Sequence, residues 1–496
     1  MFDLVIRNGL LVDPETGLEQ VGDVAVQGGI IQRVGSFPGN AQREIDATGL
    51  VVAPGFIDLH AHGQCVASDR MQAFDGVTTS LELEVGILPV SDWYARQQEQ
   101  GRVLNYGASV AWAFARISAM IGRPVEPSLS FMGKCYDDPR WSENTASSSE
   151  LRDILSLVGQ GLSEGGVGIG IPHAYVPGVG AKELVDLCTL AKRHEVPTYT
   201  HIAYSSNIDP RSSIEAYTRL IGYAGATGAH MHICHFNSTS LLDIRQAAEL
   251  VSTAQKQGLN ITVEAYPYGT GSTVIGSPLF GEAAFRERTG SPYTAIQRVD
   301  DGHRFESREE VLDVQRERPD TLVLWHFLDV ESDPSAQDLL DVSVLYPGGV
   351  IASDAMPWTL PDGSVYEGLD WPLPETAVAH PRSSGTFSRF LREYLRERSR
   401  VSLCEAMRRC SLGPAKILET VSPQMRRKGR LQEGCDADIV VFDAATITDC
   451  ADFAAMNRPS EGVRHLLVNG QSVISGGELN RDAFPGQPVR GHCGVV

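Results

Sequence analysis

The sequence predicts an α/β protein: a (β/α)8 TIM barrel carrying a small β-sandwich built from both ends of the chain. Three observations predict it. At 496 residues the chain exceeds the ~250–300 residues at which single cores stop growing, so a large domain with a satellite is expected. From Val51 to about Gly413, continuous apolar runs alternate with helical stretches, the pattern of buried parallel strands. Both terminal regions instead carry short β-branched runs separated by Gly, Asn and Asp turns.

Taken in order, Phe2–Ile6, Leu10–Val12, Val21–Val26 and Ile30–Val34 read as antiparallel strands, as do 437–443 and 463–470 near the other end. The two blocks either meet as one sandwich or cap the barrel as separate hairpins. Eight barrel strands are expected at Val51–Asp58, Val77–Val85, Val167–Ile171, Thr198–Ile202, His230–His235, Ile261–Ala265, Leu322–Leu328 and Gly349–Ser353. The polar stretch of about 279–319 reads as an insertion over the barrel mouth. The expected division is 1–53 and 414–496 for the sandwich and 54–413 for the barrel.

Composition narrows the function classes. Hydrophobic residues make up 42% and charged residues 21%, as in an ordinary globular protein. The net charge of −20 repels phosphate backbones and anionic lipid, so nucleic acid and membrane partners are not expected. No apolar run reaches the ~18 residues of a membrane span, and Met1-Phe-Asp-Leu-Val-Ile-Arg does not read as a signal peptide. The nine cysteines are scattered without a CxxC pair, which suits reduced thiols and a cytoplasmic protein, with a homo-oligomer possible.

The chemistry concentrates at strand ends, where TIM barrels carry their reactive groups. In Pro54-Gly-Phe-Ile-Asp-Leu-His60-Ala-His62, alternation along an extended chain aims His60 and His62 at one point, an arrangement suited to zinc. His201, His235 and Asp354 close later strands, and together these five side chains suffice for one or two divalent cations. Glu82 and Glu84 alternate within an otherwise apolar strand. Buried carboxylates need a partner, and a shared cation is the obvious one. Glu84, nearer the strand end, is the first choice as a bridging ligand and Glu82 the second. Zn2+ heads the candidate metals, with Mn2+ and Co2+ suited to the same ligands.

The chain resembles the amidohydrolase superfamily, and within it the N-acyl-D-amino-acid deacylases (D-aminoacylases). Superfamily features are LVIRNGLLVDP near the start, the PGFIDLHAH strand, and GRLQEGCDADIVVFD at 429–443. Narrower ones are Gly76-Val-Thr-Thr79, GIGIPHAYVPG ending at Gly178, EAYPYGTGST at 264–273 and HPRSSGTFSRFLREY at 380–394. The resemblance implies metal-dependent hydrolysis of an N-acyl-D-amino acid or a similar carboxylate-bearing amide. His60, His62 and Asp354 would hold one metal, His201 and His235 the other, with Glu84 between them. Asp354 would carry the proton, and Arg382, Tyr266, Ser272 and Tyr175 would contact the substrate.

The sequence also departs from that family. Valine stands where D-aminoacylases have a bridging cysteine, Asn237 replaces a substrate-binding lysine, and 356–379 separates Asp354 from the HPR motif. These departures leave open a cyclic amidase or deaminase acting on a nitrogen heterocycle. A non-catalytic assembly protein is the alternative of another class. His230, His232 and His326 read as structural or as supports behind the ligands, and the cysteines, Cys234 included, as core.

Overall fold

The computed structural model describes residues 1–128 and 130–492. The terminal blocks join in one nine-stranded sheet rather than forming separate hairpins. Its order runs Glu478–Leu479, Gln471–Ser475, Val463–Val468, Ile439–Phe442, Val51–Pro54, Phe2–Asp13, Leu18–Gln27 and Ile30–Gly35, with Ala41–Asp46 pairing alongside Phe2–Asp13. Val51–Pro54 is the keystone, parallel to Phe2–Asp13 on one side and antiparallel to Ile439–Phe442 on the other. All four of its residues are buried, which is why the run is continuously apolar.

The barrel is an eight-stranded parallel sheet. Its strands are β1 (Phe56–Asp58), β2 (Val77–Ile87), β3 (Asn105–Ala111), β4 (Ile169–Pro172), β5 (Pro197–His201), β6 (His230–Ile233), β7 (Ile261–Ala265) and β8 (Val350–Ile351). A parallel bridge between Ala61 and Ala355 and the bond from the His62 amide to the Ala355 carbonyl at 2.7 Å bring the first and last strands together. No helix among the described residues is long and apolar enough to cross a membrane.

Three details differ from the sequence expectations. Val51–Asp58 is two strands, broken at Gly55, where the chain leaves the antiparallel sheet and enters β1. A Cβ on Gly55 would lie 2.2 Å from the Thr78 methyl, so only glycine lets β1 and β2 approach there. Second, Leu322–Leu328 is not a barrel strand. Leu322–His326 is the centre of a three-stranded antiparallel sheet, between Thr270–Val274 and Ile296–Arg298. A short apolar run reads alike in either setting. Third, β3 went unpredicted because Asn105, Gly107, Ala108 and Ala111 are weak strand formers and only Tyr106 and Val110 in this segment are strong ones. Smallness is required there, since a Cβ on Gly107 would sit 2.6 Å from the Val489 carbonyl of the overlying C-terminal segment.

The eight cysteines among the described residues are free thiols. Cys135, Cys188, Cys234, Cys410 and Cys435 are buried, while Cys65, Cys404 and Cys450 are partly exposed. Cys493 lies outside the described residues.

Candidate metal centre

Every predicted ligand comes to the C-terminal end of the barrel. His60 and His62 follow β1, Glu84 lies in β2, His201 ends β5, and His235 and Asp354 sit just beyond β6 and β8. His235 and Asp354 adopt positive φ, 32° and 52°, an uncommon backbone conformation for non-glycine residues that turns both side chains back over the barrel.

Glu84 stands at the centre. Its Oε1 lies 2.9 Å from both His201 Nδ1 and His235 Nε2. Its Oε2 lies 3.1 Å from His60 Nε2 and 3.5 Å from His62 Nε2. Asp354 Oδ1 is 3.4 Å from each of the latter nitrogens. Four sets of donor atoms each fall within 4.8 Å: His60, His62 and Glu84; His60, His235 and Asp354; Glu84, His201 and His235; and, behind His60, the set of His60, Cys234 and Glu264.

A second layer holds these groups in place. Glu264 accepts from His60 Nδ1 at 2.5 Å and from His232 Nε2 at 2.9 Å. Glu82 takes His62 Nδ1 at 2.8 Å and the amides of Val85 and Gly86 at 3.2 and 3.3 Å. Both of its oxygens are thereby engaged away from the cluster, leaving Glu84 as the carboxylate that faces it. A carboxylate on Nδ1 sets the tautomer and turns the Nε2 lone pair inward. Asp58 binds the Ser353 and His60 amides at 2.9 and 3.2 Å, the Ser353 hydroxyl, and Gln72 at 2.6 Å. It thus locks the two ends of the barrel seam, and burial pushes its carboxyl up to about 6.

Sequence reasoning passed over Glu264 and Asp58. The signal for Glu264 was present, a lone glutamate in an apolar strand, and was used only for Glu82 and Glu84. His232, which holds Glu264 through Nε2, is itself held by Thr262 on Nδ1 at 2.8 Å. Cys234 is buried beside His60 and Glu264.

The electrostatics fit a cation. His60 Nε2 and His62 Nε2 face each other at 3.1 Å, lone pair to lone pair when both nitrogens are unprotonated. Glu82, Glu84, Glu264 and Asp354 are balanced by Arg382 alone, leaving three formal negative charges if the imidazoles are neutral. Buried charge of that size needs a counter-charge. Burial opposes charge on His60 and His62, yet the carboxylates around them hold both well above the ordinary imidazole range. Burial would raise the Glu84 carboxyl, but His60 and His235 outweigh it and keep the group well below the ordinary range.

Beside the cluster, Arg382 grips Asp354 through Nη2 to Oδ2 and through Nε to the backbone carbonyl, both at 2.7 Å. Its guanidinium lies 4.6 Å above the Tyr266 ring. His380 accepts from the Arg382 amide at 2.9 Å and contacts the Thr270 carbonyl at 3.1 Å, fixing the start of the helix Arg382–Phe390. Arg382 Nη1, Tyr266 Oη and Ser272 Oγ are buried without a partner. Tyr175 packs edge-on to His201 at 5.1 Å and shares a 2.7 Å hydrogen bond with Thr273. Asn237, in place of the expected lysine, donates to the carbonyls of Tyr266 and Tyr268 at 3.1 and 3.2 Å. Tyr268 packs under Arg389, with the guanidinium 4.5 Å from its ring centroid. Over all this opens a cavity of about 1240 Å3, lined by His62, Glu84, His201, His235, Tyr266 and Asp354 among others.

A fold with this composite sheet, this barrel and a histidine–carboxylate cluster at the strand ends defines a class, and comparison with known proteins places the chain in it. It matches the amidohydrolase family over residues 43–246 and 236–474, and the chain belongs to that family. An N-acyl-D-glutamate deacylase of Alcaligenes xylosoxydans xylosoxydans is 24% identical over 95% of this chain and 93% of its own. A D-aminoacylase of the same organism is also 24% identical, over 100% and 97%. The crystal structure of an N-acyl-D-glutamate deacylase from Bordetella bronchiseptica, with zinc and a phosphonate mimic of the tetrahedral intermediate, superposes with a TM-score of 0.78. It is 23% identical and covers 99% of both chains.

Proposed function

We propose that this protein is a zinc-dependent deacylase of N-acyl-D-amino acids. The observation that carries the reading is the convergence of four imidazoles and two carboxylates beside three unpartnered donors, Arg382 Nη1, Tyr266 Oη and Ser272 Oγ. The first group fits a metal pair, the second a substrate carboxylate. The relatives' names supply the acyl-D-amino acid.

His60, His62 and Asp354 would hold one ion and His201 with His235 the other. Glu84, with one oxygen toward each histidine pair, would be a ligand shared by both. Zinc there would supply Lewis acidity, lowering the pKa of water toward ~7 and polarising the scissile carbonyl. The protein's own residues do the rest. Asp354 faces His60 and His62 with Oδ1 and Arg382 with Oδ2, and its carboxylate is the group that accepts the nucleophile's proton and returns it to the leaving nitrogen. Arg382 Nη1, Tyr266 Oη and Ser272 Oγ hold the substrate carboxylate and so orient the amide for attack. Tyr175, against His201, walls the acyl side.

Hydrolysis of a panel of N-acetyl and N-formyl D- and L-amino acids by zinc-loaded protein tests the reading. Turnover confined to D substrates is expected. No turnover of any member with zinc bound overturns it. The division into 1–53, 54–413 and 414–496, with 279–319 as an insertion, and residence in the cytoplasm belong to the same proposal. The division is checked by limited proteolysis.

A further inference from the structure

The helix that presents Arg382 is broken. Within Arg382–Phe390, Gly385 leaves helical geometry at φ −147° and ψ 26°. The break lets the chain press against its neighbour, since a Cβ on Gly385 would lie 2.7 Å from that of Asp449. Buried backbone groups that lose their helical partners must find others. In a continuous helix the Phe387 and Ser388 amides would donate to the Ser383 and Ser384 carbonyls. Here both donate to one carboxyl group, Phe387 to Asp75 Oδ2 and Ser388 to Asp75 Oδ1, each at 2.8 Å. The Ser384 carbonyl accepts from the Ser460 hydroxyl at 2.9 Å, and that hydroxyl also lies 3.2 Å from Asp75 Oδ1. Asp75 thus stands in for the missing turn.

Asp75 also sits between the two halves of the site. It caps the end of the helix Val66–Phe74, which follows His62. The next residue, Gly76, accepts the Phe56 amide on its carbonyl at 3.0 Å. Phe56 opens β1, the strand that leads to His60, and its ring stacks on Phe387 at 5.5 Å. One joint therefore ties the approach to the metal ligands to the helix that carries the substrate-facing guanidinium.

The joint is built around an expensive group. Asp75 is 3% exposed, and its donors are neutral, two amides and a hydroxyl. Burial pushes its carboxyl up to about 7. A buried acid without a cation beside it is costly, and a leucine of similar size would avoid that cost but could accept neither amide. What the two acceptors secure is the helix beyond the break. The near end is fixed separately, by His380 on the Arg382 amide. Held at both points, the short turn between them leaves the guanidinium a single place over Tyr266.

We propose that Asp75 is a positioning residue for the hydrolytic site, acting through the broken helix to set where Arg382 Nη1 meets the substrate carboxylate. The proposal rests on the deacylase reading.

Steady-state kinetics of zinc-loaded, full-length variants on the best N-acetyl-D-amino acid of the panel test it. Asp75→Leu removes both acceptors, Asp75→Asn keeps one, and Ser460→Ala removes only the hydroxyl between Asp75 and the Ser384 carbonyl. A misplacement of about 1 Å costs up to ~10²-fold, so Asp75→Leu should raise KM ~10–100-fold. Asp354 keeps its own ties, through the Ser353 amide on Asp58 and the Ala355 amide on the His60 carbonyl. With chemistry and metal in place, kcat should stay within ~5-fold and zinc content should match the parent. Asp75→Asn should recover part of the KM loss, and Ser460→Ala should raise KM only ~3-fold, the scale of one hydrogen bond. Circular dichroism identifies any variant that fails to fold, and the others then decide. KM unchanged in every folded variant overturns the proposal. So does a fall in kcat with KM unmoved, or a loss of zinc, since either would place the effect on the metal cluster instead. These results with an active parent leave the deacylase reading intact. A parent without turnover on any member of the panel overturns that reading and this proposal with it.

Discussion

Asp354→Asn separates what the carboxylate does for chemistry from what it does for the buried guanidinium beside it. Arg382 is 1% exposed, and its Nη2 meets Asp354 Oδ2 at 2.7 Å. Asparagine leaves the Nε bond to the backbone carbonyl in place and replaces the ion pair by a charge–dipole contact. Removing one partner of a buried pair costs about 3–5 kcal/mol. The neighbouring carboxylates still attract Arg382, so the lower end, about 3 kcal/mol, applies to the metal-free protein. Turnover should suffer differently. Loss of a positioned acid–base group lowers kcat by ~10²–10⁴, while Tyr266 and Ser272 are untouched and Arg382 keeps its Nε bond to the backbone, so KM should move less. Adding Arg382→Gln should recover part of the stability, because no uncompensated charge stays buried, and none of the activity. Urea unfolding, zinc content and steady-state kinetics on the best N-acetyl-D-amino acid read all three. A kcat within ~3-fold of the parent, less than about 0.7 kcal/mol, would refute the assignment of Asp354 as proton carrier.

Other expectations follow from the same geometry. Glu264→Gln removes the charged acceptor from His60 Nδ1 and should weaken zinc ~10–100-fold in chelator competition; unchanged affinity would deny Glu264 its role. In metal-free protein His60 and His62 have raised pKa values, so their stabilisation is present below the unfolded imidazole value of ~6.5 and fades as pH rises through the folded one. Thermal melts should therefore show EDTA-treated protein losing Tm from about pH 6.5 upward, with the zinc-loaded form pulling away; parallel curves would contradict this. Asp69→Ala strands the buried Arg102, which it binds through two oxygens, and should cost about 3–5 kcal/mol in urea unfolding with little change in KM; a loss under about 1 kcal/mol would show that Gln64 and Gln97 suffice.

The sequence was most informative where chemistry and periodicity coincide. His60 and His62 alternate after an apolar strand, and Glu84 is a charge in a strand that can tolerate none unpaired. His201, His235 and Asp354 each close a recognisable run. The composite sheet was legible from β-branched alternation. Less legible was anything fixed by tertiary contact. The small residues of β3 make sense only once the segment carrying Val489 lies over Gly107. The run ending at His326 has the same hydropathy in a parallel or an antiparallel sheet, and only pairing with Ser272 and Gln297 decides it. Glu264 and Asp58 support ligands rather than being ligands, so no motif spacing announces them.

Val51–Pro54 ties the two halves of this protein together in time as well as in space. The strand continues into β1 and the first two histidines of the cluster, yet its other edge is covered by Ile439–Phe442. During synthesis the ribosome must deliver nearly the whole barrel before that partner emerges. Until then the nascent chain carries the start of its reactive centre on a strand with one bare edge, a surface that invites pairing with other chains. A release factor acting early, or a protease removing the last stretch, would therefore do more than trim a peripheral sheet. It would loosen the strand that aims His60 and His62, and so reach the far end of the barrel from a sheet that carries none of its ligands.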